Sequence, residues 1–307
     1  MKIIHALITE PLKKGVRMIE IIKNLPFEDY RARKGINASI LKTVHSYSLL
    51  HAKAEMDGLR SIETQTLDFG KCFHSLTLEN IVDWSVKPLT YPAPEDHADV
   101  KKGKIKAGDP LKWNGNAGYC KEWESKQGSK VILSADEDRR VNGMRDVLHS
   151  DPEIKALIGG DNELSVFVES DGFVRKCRID GLPLGDDAPV IDLKSGDCVH
   201  PEIFMSNAMK YGWDIQAAWN LDVLKLAGKP RKEFWFVAVE SDYPHAHTIL
   251  KFKDTPGSFL RLGRIKYRAA FQRIKNAIRD NKWPSYDSGE AELFAKDWQL
   301  KQLEQTL

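Results

Sequence analysis

The chain has 307 residues, 42% of them hydrophobic and eight of them Trp, enough for one large domain or two modest ones around a real core. A formal net charge of only +2 excludes attraction of the whole molecule to a polyanion, so any such affinity must come from local patches. No apolar run of roughly 18 residues and no basic, apolar, small-residue leader is present, which excludes a spanning helix and export by that route and leaves a cytoplasm as the expected location. Residues 1–17 carry little pattern and are expected to be a poorly ordered extension. Met18 to Pro26 reads as a second natural start. From Met18 onward a single domain is expected, opening on a helical part that runs to about residue 160. Asn37 or Ser39 can cap a helix through Leu41 and Val44 toward Leu50. A second helix starts near Leu67 and carries Cys72, Phe73, Leu76 and Leu78 as its apolar positions, with His74 among them. Residues 91–112 turn Pro-, Gly- and Lys-rich and read as a basic mobile loop. Helices over 116–127 and 135–150 follow, the second closed by Asp151-Pro152.

The next segment changes period. Leu164 to Val168 alternates, Ser170-Asp171-Gly172 is a turn signal, and Phe173 to Asp180 alternates again, which reads as a β-hairpin. Val174, Lys176, Arg178 and Asp180 share one face of its second strand. Val190, Asp192 and Lys194 share one face of the strand that follows. A helix over 201–226, strands over 233–240 and 247–252, and a basic amphipathic helix over 256–279 complete the domain. This order predicts an α/β fold with a mixed central sheet flanked by helices, plus the N-terminal helical region.

Two carboxylates and an amine on neighbouring strands form a chemical unit. Asp180 and Asp192 can hold a divalent cation, and Lys194, two residues on and on the same face as Asp192, would stand beside a nucleophilic water. The backbone carbonyl of Leu193 can add an oxygen ligand. Alone, an Asp-x-Lys triplet also describes a solvated strand end, and a histidine among apolar neighbours also describes a hydrogen-bonded core residue. The spacing of Asp180 to the triplet, and Gln216 with Asn220 one turn later on the following helix, favour a site.

Asp68-Phe-Gly-Lys-Cys-Phe-His74 with Leu78-Glu79, then Cys177-Arg-Ile-Asp180, Ile191-Asp-Leu-Lys-Ser195 and Asp214-Ile-Gln-Ala-Ala218 form an ordered set over most of the chain. This set resembles the successive motifs of the PD-(D/E)XK nucleases, most closely the RecE (exonuclease VIII) type, related to phage lambda exonuclease and the RecB nuclease domain. The resemblance implies a restriction-endonuclease-like core. It implies His74, Asp180 and Asp192 as metal ligands, with Mg²⁺ as cofactor and Mn²⁺ as a substitute, and Lys194 as the catalytic amine. The stretch Arg31-Ala-Arg33 to Ser39 is similar to the one that holds a 5′-phosphate, which implies that role for Arg33 or Arg31 and for Ser39. Helix capping is the competing account of Ser39. Relatives often carry Gln-x-x-x-Tyr after the lysine; here that fifth position is Asn220, preceded by Trp219. Some relatives hold an iron–sulfur cluster with four cysteines, and the scattered Cys72, Cys120, Cys177 and Cys198 do not suit one.

Substrate contacts are expected from charge. Arg178 shares a face with Asp180, and Ser195 follows Lys194. Arg261, Arg264, Arg268, Lys275 and Arg279 fall on one helical stripe that can neutralise phosphates or serve as a solvated face. The resemblance implies a 5′→3′ exonuclease on double-stranded DNA ends, serving phage or prophage recombination in a bacterial cytoplasm. It further implies a homo-oligomeric ring, trimer or tetramer, and a single-strand annealing protein as partner, with no membrane partner. The competing functions are an endonuclease or end-trimming enzyme on the same fold, and a DNA-binding module with an inert site.

Overall fold

The structure, a computed structural model, describes residues 4–7, 15–60 and 65–286. Strands β1 (Ile4–Leu7) and β2 (Val16–Lys23) come first, followed by helices α1 (Phe27–Ala32), α2 (Ala38–Ser46), α3 (Leu49–Met56) and α4 (Gln65–His74). α4 runs on into a π-helical turn, Ser75–Glu79. Short strands β3 (Trp84–Val86), β4 (Thr90–Pro92), β5 (Pro110–Lys112) and β6 (Val131–Leu133) are interleaved with α5 (Ala98–Lys101) and α6 (Gly118–Lys126). Helices α7 (Ala135–Ser150) and α8 (Pro152–Leu157) lead into strands β7 (Asp161–Ser170), β8 (Phe173–Leu182) and β9 (Val190–Gly196). Helices α9 (Pro201–Lys210) and α10 (Trp213–Leu226), strands β10 (Glu233–Glu240) and β11 (His247–Lys253), and the long helix α11 (Phe259–Asp280) follow.

Seven strands form one sheet in the order β1-β2-β7-β8-β9-β10-β11. β9 and β10 run parallel, joined by α9 and α10, and the other neighbours are antiparallel, which is the mixed sheet expected of this α/β chain. The hairpin β7–β8 turns on Asp171 and Gly172, both at positive φ, the backbone that a two-residue hairpin loop demands. Both faces of the sheet are covered. Val190, Phe234, Phe236 and Ala238 pack toward α2, α10 and α11, while Ile191, Leu193, Val237 and Val239 pack toward α4, α7 and α8. Alternate residues of β9 therefore meet different helices, and this alternation decides where each polar side chain can go.

Several expectations are corrected. The N-terminal part is not wholly helical, because Val16–Lys23 is a sheet strand paired with β7, and Ile4–Leu7 pairs with it in turn. Where it is described, the segment expected to be a loose extension therefore belongs to the sheet, and its remaining residues lie outside the described set. No clean alternation marks β2 in the sequence, because Ile21 and Ile22 are both buried, on opposite faces. The basic loop contains β4 paired with β5 and the short α5. The helix expected over 201–226 is two helices, broken at Gly212 with φ +63°. Asn37 caps α2, its side chain accepting from the Ile40 N–H at 3.0 Å, so capping no longer accounts for Ser39.

Candidate active site

β8 and β9 pair at one position, Gly181 opposite Ile191. On the Asp180 side of it the strands part. The backbone N–H of Leu193, left without a ladder partner there, donates to Asp180 Oδ2 at 2.9 Å. One hydrogen bond thus fixes Asp180 at the fork and spares a buried donor. Because N–H and C=O of a strand residue point to the same edge, the Leu193 carbonyl also faces the Asp180 side.

From the α4 side, His74 stands at the junction between α-helix and π-turn, and its Nδ1 lies 3.4 Å from Asp180 Oδ2. Such π-turns recur at functional sites. From the neighbouring strand comes a residue the sequence reading missed, Glu163, directly across β7 from Asp180. It is buried at 6% exposure and held at φ +50°, a conformation that a residue with a Cβ adopts at a cost. Ligand atoms of His74, Glu163 and Asp180 all lie within 4.8 Å of one another. An imidazole nitrogen with two carboxylates fits a divalent cation. The carboxylates suit Mg²⁺ or Mn²⁺, and the imidazole favours Mn²⁺ over Mg²⁺.

The other half of the site comes from the opposite face. Asp192, 3% exposed, points with Val190 toward α10 and is hydrogen-bonded at both oxygens. Oδ2 takes the ammonium of Lys194, and Oδ1 accepts from Gln216 Nε2 at 2.6 Å. The Lys194 ammonium also lies 5.6 Å and 5.7 Å from the ring centroids of Trp213 and Phe236, rings that desolvate it on one side. Gln216 in turn accepts at Oε1 from Lys42 of α2, 2.9 Å away, a second residue the sequence reading missed. The site therefore straddles the fork, with His74, Glu163 and Asp180 reaching in from one face and Asp192, Lys194, Gln216 and Lys42 from the other.

Charge is unbalanced in a way that a cation would relieve. Burial raises the Asp192 carboxyl above its ordinary range and the nearby Asp180 charge adds to this, while Lys194 opposes it. Burial likewise raises Glu163, against Arg178, with Asp180 again pushing upward. Buried carboxylates raised in this way cluster at functional sites.

Other expected site residues fall elsewhere. Arg178 is turned inward. Its Nε pairs with Glu163 and its NH1 donates to the Leu25 carbonyl at 2.6 Å, so it orients Glu163 rather than facing phosphate. Arg33 pairs with Glu20 at 2.7 Å and lies 4.8 Å over the Phe167 ring, and Arg31 lies 3.7 Å from Glu28. The carbonyls of both accept from the buried Lys176 ammonium. Ser39 is exposed one turn before Lys42, and Ser195 is half-buried beyond Lys194. Asn220 is buried within α10, and Trp219 donates to the Lys176 carbonyl at 3.0 Å, so neither supplies the position that follows Gln216 in relatives. Part of the α11 stripe is paired within the fold. Arg264 pairs with Asp222 and Asp254, Arg268 with Asp222, and Arg279 with Asp280.

Comparison with known proteins agrees with this fold. A family model described as a PDDEXK-like domain of unknown function (DUF3799) matches residues 38–297. No curated protein matches the chain. Among solved structures, a protein of Eubacterium rectale described as a "putative exonuclease" is similar in fold, with a TM-score of 0.56 at 12% identity, over 91% of this chain and 98% of that one. With its fork of acids and lysine on a mixed sheet, and a family match over most of its length, the chain belongs to the PDDEXK-like domains.

Proposed function

We propose that the chain is a divalent-metal-dependent deoxyribonuclease that hydrolyses phosphodiester bonds, acting 5′→3′ from the ends of double-stranded DNA in phage or prophage recombination. The observation that carries the reading is the joining, at one strand fork, of a three-residue ligand cluster with an aspartate–lysine pair. His74, Glu163 and Asp180 would hold a cation, with Asp192 and the Leu193 carbonyl beside it. Mg²⁺ is the proposed cofactor and Mn²⁺ a substitute that the imidazole favours. Bound there, the metal supplies neutralisation of phosphate charge and a more acidic water.

The chain's own groups do the rest. The Leu193 N–H holds Asp180 in place, and Arg178 holds Glu163. Gln216 fixes the Asp192 carboxylate, leaving its other oxygen for the Lys194 ammonium. Lys194, close to this carboxylate and walled by Trp213 and Phe236, is placed to orient a water and to stabilise negative charge as it develops on the phosphate. By the family likeness, the enzyme would work as a ring-shaped homo-oligomer and pass single strands to an annealing protein.

The test is digestion of linear duplexes labelled at either the 5′ or the 3′ end, compared with closed circles, in Mg²⁺ and in Mn²⁺. Release of 5′ nucleotides first, confined to linear molecules, is the expected result. Cutting of closed circles would replace the reading with an endonuclease, and no metal-dependent digestion of any DNA would leave a DNA-binding module.

A further inference from the structure

Lys42 forms no ion pair among the described residues. Its ammonium donates to the neutral amide oxygen of Gln216 at 2.9 Å. An ammonium carries three donors, and a half-buried one facing only an amide is poorly compensated. Burial and the charge of Lys194 lower Lys42 from 10.5 to about 7, and the more distant charges of Asp192 and Asp214 oppose this only in part. Such an arrangement calls for an anion that arrives from outside the fold.

The backbone is shaped to admit this side chain. Gly212, at φ +63° between α9 and α10, passes so close that a Cβ there would lie 3.0 Å from Lys42 Cγ. The break that ends α9 thus also clears the Lys42 stem. Beyond it α10 starts, and Gln216, four residues on from Gly212, links Lys42 to Asp192. Asp192 is therefore approached by two ammonium groups, Lys194 directly and Lys42 through one amide. One turn earlier on α2, Ser39 is exposed, so this helix face opens to solvent on the Lys42 side.

We propose that Lys42 is a second phosphate-binding lysine of the site, donating to a non-bridging oxygen of a DNA phosphate at or next to the cleavage point. The proposal rests on the nuclease reading above. A phosphodiester under attack carries negative charge on two non-bridging oxygens, and a fixed ammonium aimed at one stabilises it more as that charge grows. In the absence of DNA the Gln216 oxygen holds the ammonium in position, and a phosphate oxygen is the better acceptor because it is charged.

The test is a coupling measurement between protein and substrate. Equilibrium binding is measured in chelator for the full-length wild type, Lys42→Met and Lys42→Arg, on a set of short duplexes that each carry one uncharged methylphosphonate linkage. The wild type is expected to lose roughly tenfold or more in affinity at one linkage, and Lys42→Met to lose a similar factor on the unmodified duplex but nothing further at that linkage. Lys42→Arg should keep the sensitivity to that linkage. Additive losses at every linkage would overturn the proposal and reduce Lys42 to a support for Gln216. Thermal melting of each variant, and cleavage of unmodified duplex by the wild type, separate misfolding and failure of the nuclease reading from failure of this proposal.

Discussion

Replacing Glu163 by Gln probes a site residue that lies outside the sequence motifs. The substitution keeps shape and one oxygen but removes one of the two carboxylates in a cluster whose ligand atoms lie within 4.8 Å of one another. Losing an anionic ligand should weaken divalent-metal affinity at least as much as losing a supporting partner does, about 10- to 100-fold. Because metal stabilises the fold in proportion to the logarithm of its affinity, the metal-dependent stabilisation at saturation should fall by about 1.4–2.7 kcal/mol. For a chain of this length that is roughly 2–5 °C of melting temperature. Without metal two effects oppose each other, since Arg178, with 17% of its side chain exposed, loses its charged partner while Asp180 loses a crowding carboxylate. Thermal denaturation in chelator and in a Mn²⁺ series reads both effects. A variant whose Mn²⁺-induced rise equals that of the wild type would remove Glu163 from the metal site.

Three further outcomes are expected. The metal-induced rise in melting temperature should grow with pH, because the raised carboxyls of Glu163 and Asp192 must lose protons before they ligate, and titration of metal into protein should release protons. Lys176 is lowered from 10.5 to about 8 by burial and by Arg31, so folding expels its proton between those values. The penalty of burying the charge is full below pH 8 and fades as pH rises toward 10.5, a gain of about 3 kcal/mol in unfolding free energy that Lys176→Met should lack. Chemical denaturation at pH 7.5 and 10 measures it, and an equal gain in the variant would contradict the assignment. Gly263→Ala would put a Cβ 1.9 Å from the Asp214 carbonyl oxygen, where α11 crosses α10, so the helices must separate. Its melting temperature should fall by several degrees, from about 1–3 kcal/mol or more of overpacking, and an unchanged value would refute that contact.

The parts of the fold that were legible in the sequence are those where one face is covered or local chemistry is decisive. The hairpin β7–β8, strand β9 and helix α7, closed by Asp151-Pro152, are of this kind. Asp180, Asp192 and Lys194 were found through strand period, and His74 through its motif. Glu163 could have been found. The two-residue turn at Asp171-Gly172 fixes the register, and counting back from it puts Glu163 opposite Asp180, although Glu163 lies outside the acids of the motif. Arg178 was misassigned because a shared strand face says nothing of which acid is nearer, and Glu163 is. Lys42 left no signal at all. It lies 174 residues from Gln216 in sequence, and only packing of α2 against α10 brings the two together. The helix break at Gly212 was hidden by apolar residues that continue through it, since one left-handed glycine is enough to redirect the chain.

The central claim is that the fork hydrolyses DNA through Asp192 and Lys194. It is tested most directly by comparing wild type, Asp192→Asn and Lys194→Met for metal-dependent release of nucleotides from linear duplex, with DNA binding measured on the same samples. The account predicts that both substitutions reduce turnover by about 100-fold or more while binding stays within a few-fold of the wild type. Turnover that survives either substitution, with binding unchanged, would contradict it.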